Sequence, residues 1–190
     1  MAAGAAVFAV AGAAARHPQL HPSEQQIFKT VNELPDGAHR PVWLVMQAGS
    51  LGGVGVASAV AAATGRRSLA MALGVAGSVV WGKAKLVKRL YGRGRPADHV
   101  EGSTIRGRPA SGLGFPSGHA AVAMTLATIA YPDVGHAARV VAFGAATLTA
   151  FGRVYVGAHL PADVIGGLGM GLAAGAVTNA ARFSRASSSR

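Results

Sequence analysis

The sequence predicts an all-α protein: a bundle of six transmembrane helices with one short amphipathic helix at its surface. Three observations predict it. Hydrophobic residues make up 51% of the 190 residues and charged residues only 13%, where soluble domains carry about 25% charge. Mean hydropathy is positive, at +0.35. Runs without a formal charge recur at 1–15, 43–64, 69–82, 118–132, 140–152 and 164–181. Six apolar segments leave too little polar sequence to clothe a water-soluble bundle.

A membrane-spanning helix needs about 20 apolar residues. Segment 43–64 meets that outright and 164–181 nearly does. The others reach span length only with flanking residues such as 83–87 or 153–158. Residues 1–15 are read as a first, short span, because no basic stretch precedes them as it would in a signal peptide. Residues 16–42 are polar and carry Pro18, Pro22, Pro35 and Pro41. Within them Ser23 and Gln26 match an S-x-x-Q capping box, and Ile27, Phe28, Val31 and Leu34 recur at helical spacing. That pattern predicts a short amphipathic helix, either on the membrane surface or packed on the bundle as a linker.

The second span covers 43–64 and is closed by Gly65, Arg66 and Arg67. The third covers 68–87, with Lys83, Lys85 and Lys88 at its end. A Gly- and Arg-rich loop, 88–117, follows without helical period, and loops this long are usually functional or disordered. The fourth span is 118–132, ended by Pro132 and Asp133. The fifth is 137–155, and the sixth is 161–181, opened by Pro161 at a first-turn position. A Ser/Arg tail closes the chain, and residues 1–190 read as one integral-membrane domain. Small residues on nearly every segment suit close packing in lipid. Alternation of six spans puts loop 88–117 and turn 153–160 on one side of the membrane, so the functional site is expected at the membrane–water interface.

The net charge of +11 raises nucleic acid as a partner, but eight of the 18 Lys and Arg residues fall between Lys83 and Arg108. Basic residues beside apolar spans fit lipid phosphate groups, with membrane lipids as partners and no nucleic acid. The absence of cysteine excludes disulfides and thiolate chemistry. No cluster of carboxylates suggests a two-metal site, so neither metal nor cofactor is expected.

Three polar clusters converge on the predicted site side. Lys88 and Arg95-Pro96 offer a point charge and a planar fork, the two ways side chains hold phosphate oxygens. Pro116-Ser117-Gly118-His119 places Ser117 at a helix N-cap, with Gly118 allowing close backbone approach and free N–H groups favouring an anion. His119 then projects from the first turn beside that anion. Arg153, His159 and Asp163 supply another guanidinium and a second imidazole, with a carboxylate four residues on that can accept its N–H. The remaining basic residues of the region, Lys83, Lys85, Arg89, Arg93, Arg106 and Arg108, read as headgroup anchors.

In order and spacing these clusters resemble the three signature motifs of the type 2 phosphatidic acid phosphatase superfamily, which includes lipid phosphate phosphatases, soluble acid phosphatases and vanadium haloperoxidases. The resemblance implies a membrane lipid phosphate phosphatase working without metal. Its catalytic residues would be His159 as nucleophile, Asp163 orienting it, and His119 as acid and then base. Lys88, Arg95, Ser117, Gly118 and Arg153 would hold the phosphoryl oxygens. The implied substrates are a polyprenyl phosphate or diphosphate, a phosphorylated polyprenyl-sugar, or a phospholipid phosphomonoester. The alternatives are a phosphotransferase using the same phosphohistidine and a non-catalytic module that binds lipid headgroups. The family usually faces its site to the periplasm or exterior, and a bacterial plasma membrane is expected here. That orientation puts twelve of the 18 basic residues outside, against the positive-inside rule. One position departs from the family: Gly152 stands where the third motif usually begins with serine.

Overall fold

Eight α-helices linked by short 3₁₀ turns and loops make up the described part, residues 1–188, of the computed structural model. They are α1 (Ala2–Ala15), α2 (Pro22–Asn32), α3 (His39–Met46), α4 (Leu51–Ala63), α5 (Arg67–Tyr91), α6 (Gly118–Ala130), α7 (His136–Tyr155) and α8 (Pro161–Ser188). No strand occurs among the described residues. The end of the Ser/Arg tail, Ser189 and Arg190, lies outside them.

Helix α8 is the spine of the bundle, packing against α6 on one side and α1 on the other. Its sequence explains both contacts. Gly167, Gly171 and Gly175 recur every fourth residue and face α6, where a Cβ would collide with the Ser117 carbonyl, the Ala121 carbonyl and Thr128. Gly169 faces α1, and a Cβ there would sit 2.6 Å from the Phe8 amide nitrogen. Small residues at one-turn spacing let backbones approach in lipid, where dispersion contacts rather than water exclusion join helices. Large apolar side chains point outward instead: Met71, Val75, Leu86 and Leu90 of α5, and Val140, Val141 and Leu148 of α7, are exposed.

Among the described residues, three helical segments are long and apolar enough to cross a membrane: Arg67–Asp98, His136–Tyr155 and Pro161–Ser184. A fourth is reached if the bent pair Asp36–Gly49 and Leu51–Ala63 counts as one span. Helices α1 and α6 have 14 and 13 residues, hence about 20 Å of length at 1.5 Å per residue, short of a hydrocarbon core about 30 Å thick.

The expected continuous span 43–64 is broken, with a 66° bend. The break has a local cause. Ser50 is extended, with ψ of 166°, and caps α4, its Oγ accepting from Gly53 N at 3.0 Å and donating to the Gln47 carbonyl at 2.8 Å. Gly49 meanwhile lies against the backbone of His119, where a Cβ would clash with the carbonyl.

Helix α2 also differs from expectation at its start. Its N-cap is His21, whose Nδ1 accepts from Ser23 N, with Pro22 in the first turn. Ser23 therefore lies inside the helix and cannot form the S-x-x-Q box. One face of α2 packs on the bundle and the other, with Ile27, is exposed. Glu24, Phe28 and Asn32, four residues apart on one face, are buried, and the Asn32 side chain donates to the carbonyls of Thr104 and Tyr155.

Candidate active site

Helix α5 ends on the site side at Gly92, which adopts the left-handed conformation (φ 64°) that closes a helix. Lys88, one turn earlier, turns its ammonium onto the loop that follows, donating to the carbonyls of Leu113 at 2.8 Å and Gly114 at 2.6 Å. Arg95 does the same from the loop itself. Its Nε donates to the Gly112 carbonyl, one terminal nitrogen to Ser111 and the other to Ala158 at 2.6 Å. The first cluster thereby fixes residues 111–114 beside the turn that carries His159.

Ser117 is the N-cap of α6, as the sequence predicts, but its hydroxyl makes no capping bond. Its backbone N–H donates to the Asp163 carbonyl at 2.8 Å, and its Oγ is buried without a hydrogen-bond partner. The Nε of Arg153, in the last turn of α7, is likewise buried and unpartnered. Buried polar groups are normally satisfied, so these two donors mark where a polar ligand is expected. Gly118 opens α6 against α5, and a Cβ there would meet Trp81 and Ala84 at an ordinary 3.6–3.8 Å. His119 stands edge-on to Trp81, ring centroids 5.3 Å apart.

His159 lies in the tight turn between α7 and α8, and its amide donates to the Arg153 carbonyl. Its Nδ1 lies 3.3 Å from Asp163 Oδ2, which also accepts from Leu160 N at 3.0 Å. With a carboxylate at Nδ1, that nitrogen carries the proton and Nε2 keeps its lone pair. Arg95 reaches within 3.0 Å of Nε2. Burial, reinforced by Lys88, Arg95, Arg153 and His119, holds the His159 imidazole well below its ordinary pKa of 6.5. It is therefore neutral at physiological pH and available as a nucleophile or base.

Sequence reasoning missed three residues. Arg93, read there as a headgroup anchor, is buried between two carboxylates: Glu24 at 2.7 Å and Asp163 at 3.1 Å. Glu24 itself comes from α2 and also accepts from the Ala162 amide at 2.8 Å. Arg106, also read as an anchor, is an internal staple that pairs with Asp36, donates to the carbonyls of Asn32, Leu34 and Tyr155, and covers the Tyr155 ring. Two signals pointed this way. Glu24, Phe28 and Asn32 share a helix face, and Arg93 lies two residues before Arg95 in a stretch with no helical period. Lys83, Lys85, Arg89 and Arg108 are exposed, as the anchor reading expects.

Gly152 also finds its reason. Helix α3 crosses α7 there, and a Cβ would sit 2.8 Å from both Met46 Cγ and Val42 Cγ1. A serine there would require the Met46 and Val42 side chains to shift. Among the described residues no three of His, Cys, Asp and Glu gather as a metal site, and the side chains around His159 are mainly cations.

An apolar groove of about 750 Å³ runs from the bend at Gln47, Ala48 and Ser50 along α4, α5, α6 and α7. On α6 it follows Ala123, Ala127 and Ala130, the continuation of the face that carries His119.

The family model described as PAP2 superfamily matches residues 66–186, which contain all three clusters. Among solved structures, a transmembrane PAP2-type phosphatidylglycerolphosphate phosphatase from Bacillus subtilis is similar with a TM-score of 0.73. It is 20% identical, over 97% of this chain and 98% of that one. LpxE from Aquifex aeolicus is similar with a TM-score of 0.65 and 22% identity, over 80% of this chain and 92% of that one. Comparison with curated protein sequences finds no match.

Proposed function

Because the chain belongs to the PAP2 superfamily, we propose that it is an integral-membrane phosphatase that hydrolyses a lipid phosphate through a phosphohistidine on His159. The observation that carries this reading is the His159–Asp163 contact, which leaves Nε2 facing Arg95 among Lys88, Arg153 and His119. Phosphoryl transfer depends chiefly on positioning and fixed positive charge, and Lys88, Arg95 and Arg153 are the side chains that would supply it.

In the first step the Nε2 lone pair attacks phosphorus, the bond from phosphorus to the lipid oxygen breaks, and His119 protonates the departing oxygen. Asp163 holds the imidazolium that forms. In the second step His119 takes a proton from water, the oxygen attacks phosphorus, and the P–N bond breaks to release inorganic phosphate. Arg95, Lys88, Arg153, Ser117 and the Gly118 N–H bind the phosphoryl oxygens, with the unpartnered Ser117 Oγ and Arg153 Nε as ready donors. Arg95 exchanges its contact with Nε2 for one with phosphate.

The six-span arrangement fits this reading, with α1 and α6 as short spans and the bent α3–α4 pair as another. The site then lies at the membrane–water interface of a bacterial plasma membrane, facing the periplasm or exterior. The groove along α6 supports a lipid tail lying in the bundle while the phosphate sits above it. Polyprenyl phosphates, phosphorylated polyprenyl-sugars and phospholipid phosphomonoesters all meet these requirements.

The test is phosphate release from a panel of these lipids in detergent with EDTA, comparing wild type with His159→Ala. Release by wild type alone, with a labelled phosphohistidine trapped at acid quench, is the expected result. Equal release by the variant would overturn the mechanism.

A further inference from the structure

The residues expected to touch phosphate are backed by a second buried layer, and part of it comes from outside the segment that the family model matches. Glu24 lies in the first turn of α2, upstream of residues 66–186. We infer that Glu24 and Arg93 are positioning residues for the histidine nucleophile, forming a buried chain Glu24–Arg93–Asp163–His159. This rests on the reading of His159 as that nucleophile.

The geometry is specific. The Arg93 fork grips Glu24 at two points, 2.7 and 3.1 Å, and spends one further contact of 3.1 Å on Asp163 Oδ1. Asp163 keeps its other oxygen, Oδ2, for His159 and the Leu160 amide. Glu24 is fixed in turn by the Ala162 amide and by the burial of Phe28 and Asn32 on the same face of α2. All three charged side chains are buried, with side-chain exposures of 10%, 6% and 0% for Glu24, Arg93 and Asp163.

The electrostatic consequence follows from sharing. A guanidinium facing Asp163 alone would neutralise most of its charge and weaken its hold on the imidazole N–H. Glu24 divides the Arg93 charge between two carboxylates, so Asp163 retains more negative charge for His159. Glu24 also aims the planar fork, which a lone arginine on a flexible stem would not hold. A carboxylate from a peripheral helix thus tunes the nucleophile through two intermediaries.

The groups facing His159 are Lys88 from α5, Arg95 from the loop, His119 from α6, Arg153 from α7 and Asp163 from α8. Arg93 and Glu24 reach it only through Asp163, which also feels Lys88 and Arg95. This arrangement sets opposite expectations for two substitutions. Glu24→Gln places the whole Arg93 charge on Asp163, so His159 becomes less basic and the acid limb of kcat/KM moves to lower pH. Arg93→Gln leaves Asp163 uncompensated, so the limb moves to higher pH.

The experiment uses the full chain in detergent with a water-soluble aryl phosphomonoester, reading kcat and KM across pH. Glu24→Gln is expected to lower kcat about tenfold, the scale at which losing an outer partner of an oriented histidine is felt, with KM unchanged. A purely structural staple lowers thermal stability without moving the two acid limbs apart. Wild-type limbs in both folded variants, or shifts in the same direction, would overturn the inference. If Arg93→Gln does not fold, Glu24→Gln decides alone: an unmoved limb overturns it. His159→Ala tests the underlying reading separately. Should that variant retain activity, ¹⁵N NMR titration of His159 in wild type and Glu24→Gln still reads the chain. A downward move sustains it and no move refutes it.

Discussion

Helix α6 passes through two regions built by opposite rules. At its first turn, Ser117 and His119 sit among large or charged buried groups, with Phe28, Phe115, Tyr155, Leu160 and Asp163 all fully enclosed. Arg93, Arg95 and Lys88 each bond to several partners on the segments around it. Further along, Ala123, Ala127 and Ala130 face a groove whose other walls are largely Ala, Gly and Val. The first region fixes atoms; the second leaves room. On the proposed reading the first region would hold nitrogen against phosphorus, which needs rotamers locked by packing and hydrogen bonds, and the second would take a tail, which needs only a dry, adaptable wall.

The largest effect is expected where the fixed region is broken at its centre. Asp163→Asn removes the carboxylate that selects the His159 tautomer, and a comparable change in a Ser-His-Asp triad costs about 10⁴ in kcat. Arg93 would also lose one of its two anionic partners. Measured as single-turnover phosphate release, the variant should fall by about three to four orders of magnitude with KM little changed. A loss confined to KM would mean that Asp163 serves binding rather than the nucleophile.

Packing gives the next effect. Gly152→Ser would restore the residue usual in the family, yet its Cβ would meet Met46 and Val42. Overpacking of this kind costs about 1–3 kcal/mol, so the variant should melt lower than wild type without gaining activity. Pairing it with Met46→Ala should recover stability, because that removes the Cγ and Sδ atoms that crowd the site. A rise in kcat for the serine variant alone would show that α3 yields more readily than its contacts suggest.

The pH profile sharpens the same contrast. Burial and surrounding cations hold His159 below its ordinary value, so its neutral imidazole persists as the medium is acidified. The acid limb of kcat/KM should therefore lie below pH 6.5, the ordinary midpoint of an imidazole. A limb at or above that value would place the nucleophile in a far more hydrated setting.

How much of this was legible follows the same division. The three clusters could be read because phosphate chemistry demands particular residue types at particular spacings, and the structure gathers Lys88, Arg95, Ser117, His119, Arg153, His159 and Asp163 at one end. Pro161 could be read because it fixes a backbone conformation that begins a helix, whereas α5 runs four residues past the expected end at 87 and closes at Gly92. The break at 47–50 was hidden, since an apolar Gly-rich run is as consistent with one long helix as with two. Ser50 caps only once the chain has turned. Arg93 and Glu24 were harder to read because their pairing spans 69 positions: the shared face of α2 and the place of Arg93 beside Arg95 mark each residue, but neither names its partner. Hydrophobic runs located α1 and α6 to within two residues, at 1–15 and 118–132, and both helices are as short as those runs.

The smallest effect, and the one that separates the two regions most cleanly, comes from filling the groove. Ala127 lies on its α6 wall, two turns beyond His119, and is buried in a cluster with Ala123, Ala142, Phe143 and Ala146. Ala127→Leu narrows the groove without adding a polar atom or touching any residue that bonds at the site. If the groove holds the lipid tail, KM for a long-chain lipid phosphate should rise by about tenfold, the range that a misfit of one or two methylenes produces in an apolar pocket. Values for a water-soluble aryl phosphate should stay at wild type. Equal losses on both substrates would mean that the two regions are mechanically joined and that the groove supports the site rather than the tail. No loss on either would move the tail to another face of the bundle, where the exposed apolar residues of α5 and α7 await lipid.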